Sequence, residues 1–156
     1  MNAAVCTHVL GAADVSPLRR MLALFGAAFE DPESYVSKQP SDEYLARLLA
    51  SEILIAVAAS ADGQVVGGLA GYVLHKFEQE RSEFYIYDLA VAENFRRQGV
   101  ATSLIRTLQA VARERGFYVI FVQADNGDAP AIALYTKLGH REDVMHFDIP
   151  PSNSAA

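Results

Sequence analysis

The stretch that decides the fold runs from residue 85 to residue 102 and reads YIYDLAVAENFRRQGVAT. Its first part belongs to a run of aromatic and branched residues over 84–91, which predicts a strand. A short loop follows, and from Gly99 the apolar residues recur with helical spacing until Gly116, a residue type common at helix C-termini. These apolar positions are Val100, Ala101, Leu104, Ile105, Leu108, Val111 and Ala112. The stretch therefore predicts a strand, a tight loop and an amphipathic helix that begins at a glycine.

The start of this helix has the properties of an anion site. The first amides of a helix have no partners within it and lie at the positive end of the helix dipole. Gly99 allows a ligand oxygen to approach the backbone closely, while Arg96 and Arg97 add positive charge. The glycine pattern matches neither a P-loop nor a dinucleotide-binding motif. The segment predicts a phosphate-binding turn, and the alternative is an ordinary strand-to-helix connection with exposed arginines.

Upstream of this stretch, the sequence predicts a strand, two helices and a hairpin. They comprise a strand over residues 4–10, a helix from Ser16 to Pro32, a second helix capped by Ser41, and hairpin strands over residues 53–59 and 64–77. Serine is a typical N-cap residue, and Pro17 suits the first position of a helix. Proline also stops a helix, which is why Pro32 is expected to end the first one. Residues 61–63, Ala-Asp-Gly, are the expected turn of the hairpin.

Downstream, the pattern predicts a buried strand over residues 117–123, a helix over 130–138 that ends at Gly139, and a last strand over 144–149. The resulting order, β-α-α-β-β-β-α-β-α-β, predicts a mixed, mostly antiparallel sheet flanked by helices, an α/β (α+β) fold. A chain of 156 residues fits a single domain, expected over residues 1–149. Residues 150–156 are expected to form a flexible tail.

Composition excludes several classes of protein. Hydrophobic residues make up 51% and charged residues 21%, a balance that excludes a disordered or fibrous chain. The single Cys6 cannot form an internal disulfide, and the histidines match no zinc motif, so no metal is expected. No apolar run is long enough to span a membrane, and residues 1–4 lack the basic start of a signal peptide. A cytoplasmic location is therefore expected.

The charge of the chain is unevenly distributed. The net charge is −6, which disfavours nucleic acid as a partner. Residues 28–80 carry the whole acidic excess, whereas residues 94–115 carry five arginines against Glu114 alone. This separation suggests one site for a cation and another for an anion, although solvated surface charge is the alternative.

Two motifs resemble the GNAT superfamily of acetyl-CoA-dependent N-acetyltransferases. The pyrophosphate signature of that family, Q/R-x-x-G-x-G/A, is matched by residues 96–101, RRQGVA, and its later helix A-x-x-L-Y-x-K-x-G by residues 131–139, AIALYTKLG. More narrowly, four runs resemble the aminoglycoside 3-N-acetyltransferases of the gentamicin-resistance type. These runs are residues 76–79, 85–91, 122–125 and 144–148.

The resemblance implies a GNAT fold and direct transfer of the acetyl group of acetyl-CoA to an aminoglycoside, at the 3-amino group of 2-deoxystreptamine, giving antibiotic resistance. It implies no metal. The expected partners are acetyl-CoA as co-substrate, the cationic aminoglycoside and a second copy in a homodimer, with neither nucleic acid nor membrane. The implied cofactor-binding residues are Leu89, Ala90, Val91, Arg96, Arg97, Gln98, Gly99, Val100, Ala101, Thr102, Asn126, Ala131 and Tyr135.

The resemblance also implies catalytic and substrate-binding side chains. Tyr135 stands where the family has a tyrosine near the thiol, and it is expected to protonate the leaving thiolate. Asp88, at the end of its strand, is expected either to accept the proton of the amine or to hold the ammonium form, and both roles stay open. The carboxylates expected to bind the ammonium groups of the acceptor are Asp88, Asp125, Asp148 and Glu78.

Two other functions stay open from the sequence. One is a GNAT enzyme that acetylates a polyamine or another small amine. The other is a non-catalytic module that binds acyl-CoA. Turnover separates either enzyme from the binding module, and a panel of amines separates the two enzymes.

Overall fold

The computed structural model describes residues 3–152. Residues up to Gln123 form one compact unit and residues from Ala124 form a second. The strands are β1 (Cys6–Val9), β2 (Leu54–Ala61), β3 (Gln64–Lys76), β4 (Arg81–Val91) and β5 (Val119–Val122). The helices are α1 (Val15–Ala28), α2 (Asp42–Ala50), α3 (Val100–Arg115) and α4 (Ala129–Leu138), with a π-helical turn at Glu33–Ser37 and a 3₁₀ turn at Glu93–Phe95.

The first unit contains a five-stranded sheet in the order β1-β2-β3-β4-β5. The first three pairings are antiparallel and the β4–β5 pairing is parallel. This confirms the predicted mixed, mostly antiparallel sheet flanked by helices. The hairpin between β2 and β3 is also confirmed, because Asp62 and Gly63 both have positive φ, 48° and 76°, as a two-residue hairpin turn requires.

Helices α1 and α3 cover opposite faces of this sheet. A Cβ atom added at Gly67 would meet Val100 and Leu104 of α3, whereas one added at Gly68 would meet Met21 of α1. Neighbouring residues of a strand point to opposite faces, so the two helices lie on different sides. The fully buried side chains that fill the space between these layers include Met21, Phe25, Val57, Leu69, Phe84, Leu104 and Leu108.

The helical N-terminal part differs from the prediction at two boundaries. Ser16 is not an N-cap, because α1 begins at Val15 after Asp14, whose carboxylate accepts a hydrogen bond from the amide of Gly11 over 2.7 Å. The helix ends at Ala28 rather than at Pro32, and Pro32 precedes the π-helical turn. By contrast, the cap of α2 is confirmed, since Oγ of Ser41 accepts a hydrogen bond from the amide of Tyr44.

In the second unit, α4 is as predicted but the last strand is not. The described residues after Leu138 contain neither helix nor strand, so the strand predicted over residues 144–149 is wrong. A strand requires backbone pairing with a neighbour, which alternation in the sequence cannot supply. Val144, Met145, Phe147 and Ile149 are each more than 70% exposed.

Residues 153–156 of the predicted tail lie outside the described residues, and the domain boundaries stay a prediction. Within residues 3–152, no helix combines the length and the apolar character needed to cross a membrane.

Candidate active site

A β-bulge in β4 marks the centre of the candidate site. Ala70 of β3 pairs with Asp88 while Gly71 pairs with Ile86, so Tyr87 is an extra residue in β4. A Cβ atom at position 71 would overlap the carbonyl oxygen of Tyr85 and the ring of Phe84. The close approach of the two strands at the bulge therefore requires a glycine.

The pairing between β4 and β5 ends just before the bulge. Their parallel register ends at Ile86 and Val122, whereas β4 continues to Val91. The amide of Ala92 bonds to Val66 of β3, and backbone groups alternate between the two edges of a strand. Leu89 and Val91 therefore direct their backbone groups away from β3, towards the edge of β4 beyond the last pair with β5. An extended ligand with amide groups can form hydrogen bonds along this edge.

The turn before α3 holds its backbone in the conformation that the anion-site prediction needs. Arg97 and Gly99 both have positive φ, 60° and 80°. The carbonyl of Gly99 accepts the first helical bond, from the amide of Ser103, so the amides of residues 100–102 have no partner in the helix. No side chain caps this end, and a Cβ atom at Gly99 would meet nothing within 4 Å. The turn thus presents free amides at an open surface beside Arg97, which suits a pyrophosphate.

Two polar side chains of the same turn are engaged with the backbone. Nε of Arg96 donates to the carbonyl of Val91 over 3.0 Å, and Nε2 of Gln98 donates to the carbonyl of Asn94 over 3.0 Å. These bonds fix the path of the chain between β4 and α3. Of the predicted cofactor-binding residues, those over 89–102 therefore lie on one continuous segment whose turn is tied by these two hydrogen bonds.

Four tyrosines surround the carboxylate of Asp88 on the α1 side of the sheet. Tyr72 of β3 and Tyr85 of β4 each lie edge-to-face with Tyr87, with ring centroids 5.8 and 5.6 Å apart. The hydroxyl of Tyr35, from the π-helical turn, donates to Oδ1 of Asp88 over 2.9 Å. Tyr72 and Tyr87 are 40% and 61% exposed, so both side chains are accessible to solvent beside the partly exposed Asp88.

These surroundings shift the pKa of Asp88 and of the tyrosines next to it. Burial raises the pKa of Asp88, and the hydrogen bond from Tyr35 opposes that rise. Burial also raises the pKa of Tyr35, with the bond to Asp88 and its charge adding to the effect. Tyr72 shows the same direction, since burial raises its pKa and the charge of Asp88 raises it further. Asp88 is thus a carboxylate that a cation would stabilise.

Glu78 does not join this cluster. It lies just before β4 and forms ion pairs with Lys76 and Arg81 at 3.8 and 3.4 Å. Asp88 is seven residues beyond Arg81 on the strand, a distance of about 20–25 Å at the rise of a β-strand. The predicted role of Glu78 in the same ammonium-binding site as Asp88 has no geometric support within this unit.

The second unit carries the remaining predicted residues. Oδ1 of Asp128 caps α4 by accepting from the amide of Ala131 over 3.2 Å, and Tyr135 follows one helical turn later. Burial raises the pKa of Tyr135, and the charge of Asp128 adds to this. Its phenol therefore stays protonated at neutral pH and is a donor.

The acidic residues of this unit are exposed, as is Asn126 next to Asp125. Oδ1 of Asp148 pairs with Nε2 of His146 at 2.9 Å, and the Asp148 side chain is 95% exposed. Within the described chain, no three acidic, histidine or cysteine side chains form a group able to hold a metal.

Sequence reasoning missed Tyr35 and Tyr72 altogether. Tyr35 lies 53 residues before the carboxylate it binds, in a segment that was expected to be a connection after Pro32. No short motif signals such a contact. Tyr72 stood within a predicted strand, where an aromatic residue is ordinary.

Comparisons with known proteins agree with this geometry. Residues 18–140 match the family described as acetyltransferase (GNAT). The structure is similar to that of an aminoglycoside acetyltransferase from an uncultured soil metagenomic sample, with 54% identity, a TM-score of 0.93, and coverage of 96% of this chain and 99% of that chain. Another aminoglycoside acetyltransferase of such origin, in complex with sisomicin, is 32% identical, with a TM-score of 0.87 and coverage of 95% and 97%.

Curated relatives match over shorter spans. The streptothricin acetyltransferase of Streptomyces lavendulae is 34% identical over 83 residues, which cover 53% of this chain and 42% of that protein. N-acetyltransferase family 8 member 2 of Rattus norvegicus is 29% identical over 89 residues, covering 57% and 39%. The chain spans between about two fifths and a little over half of the length of the curated relatives it matches.

Proposed function

We propose that this chain, which belongs to the acetyltransferase (GNAT) family, transfers an acetyl group from acetyl-CoA to an amine of an aminoglycoside and so confers resistance to it. The observation that carries the proposal is the 54% identity, along almost the whole chain, to an aminoglycoside acetyltransferase. The acceptor amine we propose is the 3-amino group of 2-deoxystreptamine. Its support is the resemblance of residues 76–79, 85–91, 122–125 and 144–148 to the 3-N-acetyltransferases.

The donor side of the proposed site is formed by backbone. The free amides of residues 100–102 and the exposed Arg97 suit the pyrophosphate of CoA, and the edge of β4 at Leu89 and Val91 suits the amides of its pantetheine arm. An extended chain that pairs with a strand edge gains backbone hydrogen bonds without any particular side chain. Asn126, Ala131 and Tyr135 are also proposed as cofactor-binding residues, on the resemblance to the family alone.

The acceptor side is formed by side chains. Asp88 is a partly buried carboxylate, and the side chains of Tyr72 and Tyr87 are accessible to solvent next to it. Aminoglycosides carry several ammonium groups on saturated rings, which a carboxylate and aromatic faces attract. Asp125 and Asp148 are proposed as further, more exposed contacts.

Acetyl transfer from the thioester to the amine involves three chemical changes. The nitrogen of the neutral amine forms a bond to the thioester carbonyl carbon, the carbon–sulfur bond breaks, and one proton leaves the nitrogen while one reaches the sulfur. Asp88 either holds the ammonium form in place or accepts, directly or through water, the proton that the ammonium loses to become the neutral nucleophile. The second proton leaves the nitrogen after attack and passes to solvent, from which the Tyr135 phenolate regains the proton it has given to sulfur. Backbone amides near the end of β4 polarise the carbonyl oxygen, and the phenol of Tyr135 donates the proton that the thiolate takes.

The cytoplasmic location and the homodimer also belong to this proposal. A cytoplasmic enzyme meets acetyl-CoA where it is made and the drug before it reaches its target. A sedimentation measurement of the free protein tests the homodimer, and a monomer would remove that part of the proposal.

The test is release of thiol from acetyl-CoA with a panel of aminoglycosides and polyamines, followed by mass and NMR analysis of the product. We expect turnover with gentamicin-type substrates and an acetyl group on the 3-amino nitrogen. Asp88→Asn should raise the acceptor KM by about tenfold or more while CoA binding stays unchanged.

Each other outcome selects a different function. Turnover with polyamines alone would indicate an acetyltransferase of small amines. CoA binding without turnover on any amine would indicate a binding module, and would remove the enzymatic proposal.

A further inference from the structure

We infer that Tyr35 is a positioning residue for the acceptor amine, because its phenol fixes one oxygen of Asp88 and leaves the other to the substrate. The inference rests on the proposed function, in which Asp88 contacts an ammonium group. The hydroxyl of Tyr35 donates to Oδ1 of Asp88 over 2.9 Å. Among residues 3–151, no group donates a hydrogen bond to Oδ2. The carboxylate is therefore held at one oxygen, and the Asp88 side chain is partly exposed.

Aromatic packing determines where the phenol of Tyr35 points. Its ring lies edge-to-face on Phe25, with centroids 6.0 Å apart, and tilted against Phe29 at 5.7 Å. Phe25 is 2% exposed, so one of the two rings that contact Tyr35 is part of the core. The π-helical turn approaches α1 closely at Gly26, where an added Cβ atom would lie 3.0 Å from Val36. The ring has little freedom to leave Asp88.

Hydrogen bonds also hold the backbone of Tyr35. Nε2 of Gln39 donates to the carbonyl of Tyr35 over 3.2 Å, and Nη1 of Arg19 donates to Oε1 of the same glutamine over 2.8 Å. The turn begins with a further bond, from the amide of Ser34 to Oδ1 of Asp31. These hydrogen bonds hold the five-residue π-helical turn, and with it the position of the Tyr35 side chain.

The groups that face Asp88 come from three elements. They are Tyr35 from the π-helical turn, Tyr72 from β3, and Tyr85 and Tyr87 from β4, with Asp31 near Tyr35 and Tyr44 near Tyr72. Burial raises the pKa of Asp88 and the bond from Tyr35 lowers it. Removing the hydroxyl should therefore raise this pKa further, and the ionised form would be lost at a higher pH.

The experiment compares Tyr35→Phe with Tyr118→Phe. Tyr118 is a matched control because its hydroxyl also donates to a carboxylate, Oε2 of Glu83 at 2.6 Å, far from Asp88 on the same sheet. We expect Tyr35→Phe to weaken sisomicin binding by roughly tenfold, as measured by calorimetry. CoA affinity should change little, and stability at neutral pH should fall modestly, because the ionised Asp88 loses a hydrogen bond in the folded protein. Tyr118→Phe should leave the binding of both ligands unchanged.

Two readouts separate positioning from packing. In a carboxyl-carbon NMR titration of the free protein, Tyr35→Phe should raise the pKa of Asp88, and the acid limb of kcat/KM should move to higher pH with it. In an Asp88→Asn background, Tyr35→Phe should cause little further loss of sisomicin affinity, because the two residues act together.

Binding and titration decide the inference without turnover, so its outcome is distinct from that of the proposed function. Unchanged sisomicin affinity, or losses that add independently in the double variant, would overturn it. An unchanged titration of Asp88 would overturn it as well. Failure to acetylate any aminoglycoside would remove the proposed function while leaving these measurements valid.

Discussion

The donor-side region and the acceptor-side region of the candidate site are built from different parts of the chain. The donor-side region, residues 89–102, uses backbone amides and carbonyls of one continuous segment. The acceptor-side region, Asp88 with the four tyrosines around it, brings side chains from the π-helical turn, β3 and β4 to one place. The first tolerates changes of side chain and is sensitive to backbone conformation. Binding in the second region should instead depend on the identity of its side chains.

If the proposed assignment holds, this contrast would let the fold keep its donor while its acceptor changes. Backbone groups are present whatever the side chains are, so a strand edge and a helix start remain binding sites as the sequence varies. By contrast, a carboxylate that is oriented by a phenol distant in sequence requires two particular residues, here Asp88 and Tyr35. Variation at Tyr35, Tyr72 or Tyr87 should therefore alter the acceptor without altering the donor.

The largest expected effect is on the donor-side region. Gly99→Val places a branched residue at a φ of 80°, so the turn must change and the amides of residues 100–102 move. We expect CoA affinity to fall by about 100-fold in calorimetry, roughly 2.7 kcal/mol, because the displaced amides no longer meet the pyrophosphate.

The matched control is Gly116→Val at the other end of the same helix. Gly116 also has a positive φ, 72°, and open space where a Cβ atom would lie. Both variants should lose a similar amount of stability, but only the first should lose CoA affinity. Equal CoA affinities in the two folded variants would contradict the assignment of the donor side.

The next effect is on proton transfer. Tyr135→Phe removes a phenol whose pKa is raised by burial and keeps its ring. The chemical step, measured in single-turnover experiments, should slow by about 10²-fold, at the low end for acid catalysis because a CoA thiolate is a fair leaving group. CoA affinity should stay the same. A wild-type single-turnover rate would make Tyr135 a packing residue only.

A smaller effect is expected at Asp148. Its side chain is 95% exposed, so Asp148→Asn should raise the acceptor KM only about two- to fivefold, and less at high salt. Asp143→Asn is the control, because Asp143 is 81% exposed and ion-paired with Arg141 in the same segment. If both variants bind the acceptor alike, Asp148 has no specific contact with it.

The smallest effect is a gain in stability. Because the pKa of Asp88 is raised in the folded protein, its ionisation opposes folding, and this cost appears as pH rises from about the usual value of 3.8 through the folded pKa. Asp88→Asn keeps an oxygen for Tyr35 and removes the charge. Urea unfolding from pH 4 to pH 7 should show the variant gaining stability relative to wild type as pH rises. A constant difference across this range would contradict the pKa assignment.

The sequence predicted the strand, turn and helix of residues 85–116 well because their determinants are local. The apolar period that ends at Gly116 fixes α3, and a glycine before a helix implies free amides whatever surrounds them. The hairpin at Asp62 and Gly63 was equally local.

The parts that failed depend on distant pairings. The strand predicted over residues 144–149 has the right alternation but no backbone pairing in the described chain. The end of α1 was placed at Pro32, whereas Pro32 precedes a π-helical turn that Asp31 initiates. Tyr35 reaches Asp88 only because that turn exists, so no local pattern could have placed them together.

The central claim is that Asp88 binds the acceptor amine while the start of α3 binds the donor. The most direct test is to react acetyl-CoA with gentamicin and locate the acetyl group by NMR, for the wild type and for Asp88→Asn. We predict a 3-N-acetyl product from the wild type, and an Asp88→Asn enzyme that binds CoA normally but needs far more acceptor. An acetyl group on another nitrogen would contradict the proposed acceptor position, and an unchanged acceptor KM in Asp88→Asn would contradict the site itself.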